Sequence, residues 1–285
     1  MQLSWRQAMR IVHFQQQPLK TRTINHREGS FKYVELGEGD PSSAENFNLR
    51  WVLSEPDFFS PRHHHNFDQV RIQMKGAFSF DNDGEMPLGS VGFFPEGTFY
   101  GPQTSQAETI QLVMQIGGAS KNGYLSEANR IQAVEELSKT GHFSKGRYYP
   151  NSSNPDDHID AFQAVWEYFH KRKMVYPPPR FSKPVLMDLT GTAWTKDPER
   201  PGIEHQTAWD FGPQTVGLRK VRMQEESSIL FSGPITGFLA SGQCSLLKHH
   251  NLEQYDVFNI KEGETVACKA LKGSEWFIFI HPLLT

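Results

Sequence analysis

Two histidines one residue apart, His63 and His65, open the stretch Pro61-Arg62-His63-His64-His65-Asn66-Phe67-Asp68-Gln69-Val70-Arg71-Ile72-Gln73-Met74-Lys75-Gly76. Side chains alternate on an extended backbone, so His63 and His65 project to one face and His64 to the other. Two imidazoles, both neutral near pH 7, can converge on one metal ion through their ring nitrogens. If the two-residue period continues past Asn66, Gln69, Arg71 and Gln73 share one face, while Val70, Ile72 and Met74 share the other. The polar face is expected to point into a cavity and the apolar face to pack outward against a sheet or partner. Gln69 then adds a carbonyl oxygen to the two imidazoles. An enclosed Arg71 needs an anion to offset its desolvation, either a substrate carboxylate or an Asp or Glu of the chain. Gln73, Gln111 and Gln115 have the parity of residues lining a substrate pocket, although polar strand faces are often simply solvated. The histidine run has a plain alternative of the same kind, a surface polar cluster.

The stretch resembles the first motif of the cupin superfamily: Gly, five residues, His-x-His, three or four residues, Glu, six residues, Gly. Here His63-x-His65 is followed by three residues, Gln69, six residues and Gly76. The second cupin motif resembles Gly89, five residues, Pro95-x-Gly97, two residues and Tyr100, with Thr104 at its closing Asn. Four positions depart from the pattern. Gln69 replaces Glu, Tyr100 replaces His, Thr104 replaces Asn, and the Gly preceding the first motif is missing. The resemblance implies an all-β fold: double-stranded β-helix, jelly-roll cupin barrels in tandem (a bicupin) with a short helical linker. Carried over residue by residue, the metal ligands become His63, His65, Gln69 and Tyr100. The expected cofactor is a divalent metal, Fe(II) first, with Mn, Zn or Ni as alternatives. A tyrosinate at Tyr100 restores the anion lost at Gln69, but free Tyr ionises near pH 10, so this needs the metal's help. Otherwise Tyr100 is an acid, or a hydrogen-bond donor to substrate.

The function this implies is a mononuclear metal-dependent enzyme acting on a small oxygenated organic substrate, an Fe(II) dioxygenase in the first instance. Arg71 would neutralise the substrate's charge, and Tyr100 would be the last ligand or a proton donor. One alternative is a metal-assisted isomerase, lyase or hydrolase with Tyr100 as general acid or base. The other is a non-catalytic bicupin that binds a small ligand. Cupins commonly associate through sheet edges, so a homodimer is also implied.

The elements that must hold these residues read as short strands with turns from Asn25 onward, among them SFKYVEL, NFNLRWVL, QVRIQMKG, SVGFF and TIQLVMQI. Turn signals at Asp40-Pro41, Asp83-Gly84 and Gly101-Pro102 divide them. Apolar spacing predicts helices over 125–138 and roughly 157–171, followed by the stiff connector VYPPPR (175–180). Strand-like text resumes at PVLMDL and runs to the end. LGSVGFFPEGTFY (88–100) matches YDVFNIKEGETVA (255–267) in shape, a strand, a Glu-Gly turn and a strand, which suggests duplication. The expected domains are a metal-bearing N-terminal barrel over 1–120, a helical and Pro-rich linker over 121–180 and a degenerate C-terminal barrel over 181–285. In the latter, Lys220, Arg222, Glu226 and Val266 stand where the ligands would be, so no metal is expected there. His249 and His250 read as surface residues near a turn, and Cys244 and Cys268 as buried thiols.

Composition narrows the classes further. The chain has 285 residues, two Cys, and a net charge of −3 from 29 basic and 32 acidic residues. Two Cys exclude a disulfide scaffold and any Cys-based zinc finger or iron–sulfur cluster. A balanced charge supplies no broad cationic field for nucleic acid or an anionic membrane. No run of 18 apolar residues suggests a membrane span. The start MQLSWRQAMRIVHF lacks a cleavable apolar region, so a cytoplasmic protein is expected, and the cupin resemblance implies a small-molecule substrate for it. Phosphate-binding glycine loops, a nucleophile elbow and HExxH are absent from the sequence.

Overall fold

The computed structural model describes residues 9–23, 30–39, 47–56, 58–117, 125–152, 154, 156–246 and 250–283. The Asp40-Pro41 turn and His249 fall outside them. By contacts the chain divides into two units, Leu19–Val34 with Glu38–Asp188, and Met1–Pro18 with Glu35–Gly37 and Leu189–Thr285.

The first unit carries the histidine stretch. Its larger sheet has seven strands, in the order Val185–Asp188, Ser90–Phe94, Asp68–Lys75, Thr109–Ile116, Phe47–Ser54, Ser30–Glu38, Lys20–Thr23. A second sheet has four short strands, ordered Phe58–Ser60, Gln103–Ser105, Phe78–Ser79, Glu85–Met86. These paths correct the expected fold class. A barrel needs its last strand to hydrogen-bond to its first, so that no edge remains. Here each sheet is an open path with two edge strands, and strands of two or three residues are too short to carry a barrel wall. Among the described residues the architecture is four β-sheets with two short α-helices, and no sheet closes into a jelly-roll barrel.

Alternation explains why the centre of the large sheet is stable. On one face Val70, Met114 and Leu49 form a row across three strands, and Ile72, Leu112 and Trp51 form the next. All six are buried. The opposite face is built largely from polar residues and is described below. Helix α1, Glu127–Leu137, begins at Ser126, whose hydroxyl accepts from the Asn129 amide at 3.2 Å. Helix α2, Ala161–His170, begins at Asp160, whose carboxylate accepts from the Gln163 amide at 3.0 Å. It starts later than its apolar spacing suggests because Ile159–Asp160 pairs as a strand with Arg147–Tyr148. Both helices share a core that includes Leu125, Ala133, Leu137, Val165 and Trp166.

The two Glu-Gly turns adopt the same geometry. Thr98 N–H donates to Pro95 at 3.2 Å, and Glu264 N–H donates to Lys261 at 3.2 Å. Gly97 and Gly263, third in their turns, have φ of +76° and +78°. The surroundings differ. A Cβ on Gly97 would run into the Pro177 carbonyl of the Pro-rich connector, whereas one on Gly263 would meet nothing within 4 Å. Gly97→Ala is therefore expected to cost about 3 kcal/mol or more, and Gly263→Ala roughly 1–2 kcal/mol, the left-handed strain alone. Urea denaturation of the two variants checks this; equal losses would mean the connector yields freely.

In the second unit Met9–Val12 pairs antiparallel with Val257–Ile260. His13 Nδ1 lies 2.8 Å from the Asp256 carboxylate, which also accepts from the Phe14 amide at 2.8 Å. The sheet is built around two long strands, Ile235–Leu246 and Thr265–Ile280. Cys244 and Cys268 are buried and unoxidised in its core. Lys220 and Arg222 pair with Glu275 at 3.3 and 2.8 Å, and both lie against the Trp194 ring. No helix among the described residues is long and apolar enough to cross a membrane.

Candidate functional site

The three central strands of the seven-stranded sheet present a grid of side chains on the face opposite the apolar rows. Register places Asn48, Gln115 and Gln69 side by side, then Arg50, Val113 and Arg71, then Val52, Gln111 and Gln73. Eight of these nine positions, all but Gln73, form the floor of a cavity of about 160 Å³. Phe58, Phe78 and Gln103 come from the four-stranded sheet, Glu127, Arg130 and Val134 from α1, and Phe162 and Val165 from α2. The wall thus combines apolar rings with neutral amides and three arginines, against one carboxylate, Glu127.

Arg71 is buried. Its Nε donates to Gln69 Oε1 at 2.6 Å, and one terminal nitrogen donates to Gln103 Oε1 at 2.6 Å. The guanidinium carbon lies 4.9 Å from the centre of the Phe94 ring, 5.2 Å from Phe80 and 5.6 Å from Tyr100. Ring faces attract a cation. These two amide partners are neutral and orient the guanidinium.

His63 and Tyr100 exchange backbone hydrogen bonds at 3.1 and 3.0 Å. His63 Nδ1 lies 2.7 Å from the Pro61 carbonyl, which can only accept, so this nitrogen carries the proton and Nε2 is left as an acceptor. Nε2 receives the Gln103 amide at 3.4 Å. The rings of His63 and His65 are 4.9 Å apart, and both neighbour Tyr100 at 4.7 and 6.0 Å. His64 lies on the other side, stacked between Phe99 and Tyr176 at 3.8 and 3.6 Å, where burial lowers its pKa. Of the four expected ligands, His65 and Gln69 line the cavity, whereas His63 and Tyr100 do not reach its wall. Gln111 and Gln115 line it as well. Gln73 instead accepts from Gln111 at 2.8 Å and donates to the Lys75 carbonyl.

As arranged, the four-residue set does not fit a metal ion. Gln69 Oε1, the atom that would face an ion, already accepts Arg71 at 2.6 Å, and the Tyr100 hydroxyl points to the same oxygen at 3.4 Å. A divalent ion on that oxygen would sit beside the guanidinium with no carboxylate among the four to separate the charges. Among the described residues no group of three or more His, Cys, Asp or Glu is gathered.

Comparison with known proteins is informative only at the level of structure. No protein-family model matches the sequence, and no curated protein matches it. A candidate dioxygenase from Nostoc punctiforme superposes with a TM-score of 0.65 at 13% identity, over 98% of this chain and 84% of that one. Oxalate decarboxylase from Bacillus subtilis gives 0.56 at 13% identity, over 95% and 76%. A bacterial pirin from Escherichia coli in complex with nickel(II) gives 0.53 at 10% identity, over 96% and 100%. The likeness to these solved structures is one of fold. Such low identities carry the arrangement of the backbone and not its chemistry.

Sequence reasoning missed Arg50, Arg130, Glu127, Asn48 and Gln103. Parity held a signal for two of them. In Phe47–Ser54 the odd positions Phe47, Leu49, Trp51 and Leu53 are apolar, which leaves Asn48 and Arg50 together on the face across from Gln115 and Val113. Glu127 and Arg130 form an i,i+3 pair in the first turn of α1. Gln103 carries no such mark.

Proposed function

We propose that this protein binds a small organic carboxylate in the cavity lined by its seven- and four-stranded sheets and the two helices, with Arg71 as the anchor. The observation that supports this reading is the orientation of a buried guanidinium by the neutral amides of Gln69 and Gln103 on the floor of that cavity. A carboxylate entering the site meets a planar donor whose position is already set, so little ordering entropy is lost on binding. The phenylalanines around it suit an apolar body, and Gln111 and Gln115 supply further amide contacts. Titration calorimetry of chelator-treated protein with benzoate and hexanoate tests the proposal. Saturable binding that weakens tenfold or more in Arg71→Gln is expected, and equal affinity in that variant would overturn it.

A second reading keeps the metal-dependent enzyme, an Fe(II) dioxygenase first, with an ion held at His63 and His65 and the carboxylate as substrate. What favours it is the His63 tautomer, which presents Nε2 toward Gln103 and the Arg71 network. It expects close to one Fe, Mn, Zn or Ni per chain by elemental analysis, lost in His63→Ala/His65→Ala. It also expects carboxylate binding that disappears on chelation and returns with metal. Binding that survives chelation decides for the metal-free reading.

A further inference from the structure

We infer that the ligand is a two-headed anion, a dicarboxylate whose ends are separated by an apolar spacer, and that Glu127 competes with one of those ends. This rests on the carboxylate reading above and assigns the second half of the same cavity.

Arg50, Val113 and Arg71 lie in one row across three adjacent strands. Neighbouring strands are about 4.8 Å apart, so the two arginine backbones stand roughly 10 Å apart with a valine between them. Their side chains lean away from each other. Arg71 reaches Phe94, on the strand beyond it, at 4.9 Å. Arg50 reaches the Tyr33 ring, on Ser30–Glu38 at its own far side, at 4.8 Å. The two guanidinium groups therefore bracket an apolar centre, Val113, flanked within the cavity by Val52, Phe58 and Phe67. A compact anion can reach one arginine at a time. An anion with two carboxylates and a hydrocarbon or ring between them can reach both while covering Val113. The 160 Å³ void is similar in size to cavities that admit a benzene ring.

Arg50 has a carboxylate nearby already, and its geometry is that of a replaceable one. Arg50 donates to Glu127 at 3.3 Å, while Arg130 holds the same carboxylate at 2.5 and 3.2 Å. Of these two arginines Arg130, in the same helix, holds Glu127 more closely, and the contact to Arg50 is the longer one. An incoming carboxylate takes that place at Arg50 and leaves Glu127 with Arg130, so no charge is stranded by the exchange.

Titration calorimetry at fixed ionic strength tests this, comparing adipate, pimelate and terephthalate with hexanoate, benzoate and oxalate. The longer dicarboxylates are expected to bind at least tenfold tighter than the monocarboxylates, and oxalate no tighter than these. Glu127→Gln, at a partly exposed helix position, is expected to raise the dicarboxylate-to-monocarboxylate affinity ratio threefold or more, and Arg50→Gln to reduce it to near one. Circular dichroism melts confirm that each variant is folded, and Arg50→Lys serves if Arg50→Gln is not. If monocarboxylates bind through Arg71 but dicarboxylates gain nothing, this inference falls and the carboxylate reading stands. If no carboxylate binds at all, both fall. A ratio unmoved by Glu127→Gln overturns the competition.

Discussion

Arg71→Met is expected to abolish carboxylate binding, by a hundredfold or more, while shifting the melting temperature by no more than a few degrees. A charge-assisted contact to a buried carboxylate is worth about 2–5 kcal/mol when truncated, and a hundredfold loss corresponds to about 2.8 kcal/mol. Stability responds differently because two effects oppose each other. Removing the guanidinium strands the Gln103 oxygen and leaves Gln69 Oε1 only the Tyr100 hydroxyl at 3.4 Å, at about 1–3 kcal/mol each if neither finds a better donor. It also removes the desolvation cost of a buried cation, which an apolar replacement of similar length often recovers in full. Methionine is suited to the site because its sulfur packs well against the Phe80, Phe94 and Tyr100 rings. Calorimetric titration with benzoate and a scanning melt of the same preparation read both quantities. Undiminished affinity in a folded variant would sink the assignment of Arg71 as anchor.

The second large effect is on stability against pH, through Asp68. This carboxyl is buried beside Gln69, and burial, followed by the nearby Glu96 charge, raises its pKa to about 7, against the pull of the Glu96 amide and Arg180. The folded chain thus keeps a proton that the unfolded chain has already released. Stability from this group is complete below about pH 4, falls as pH rises toward 7, and is level above it; the span is on the order of 4 kcal/mol at most. Asp68→Asn preserves an oxygen for the Glu96 amide and cannot ionise, so it is expected to be the more stable protein at pH 8 and to lose the slope. His64, His170 and His281, whose pKa values burial lowers, act in the opposite direction at acid pH. Urea midpoints of both proteins at pH 5 and pH 8 therefore need to be compared as a difference. If the variant is no more stable than the parent at pH 8, Asp68 is already neutralised by something else.

What could be read from the residues was local periodicity. The alternation through Gln69, Arg71 and Gln73 describes the strand Asp68–Lys75 well, and the apolar spacing of α1 and α2 lies close to the helices found. Strand closure is not a local property. It depends on which edges meet, and neither Lys20–Thr23 nor Val185–Asp188 carries a mark in its own sequence that says whether it pairs onward. The Gln69 oxygen illustrates the same limit at the site. Its spacing from His65 fits a ligand position, yet two residues further along Arg71 supplies a donor at 2.6 Å that takes up the oxygen. Spacing motifs record where a side chain starts; the competition for its polar atoms is decided by neighbours across strands, such as Gln103, that no motif includes.

The pairing of Met9–Val12 with Val257–Ile260 has a consequence in time. A ribosome releases residues 9–12 long before the strand they belong beside exists. The unit formed by Leu19–Val34 and Glu38–Asp188 has nearly all its partners once Asp188 has emerged, whereas the other unit must wait for the final strands. Its first segment stays unpaired through most of synthesis, with Ile11 and Val12 uncovered and Asp256, which fastens His13 and Phe14, not yet made. This segment therefore waits, after its own synthesis, for a partner strand made far later in the chain.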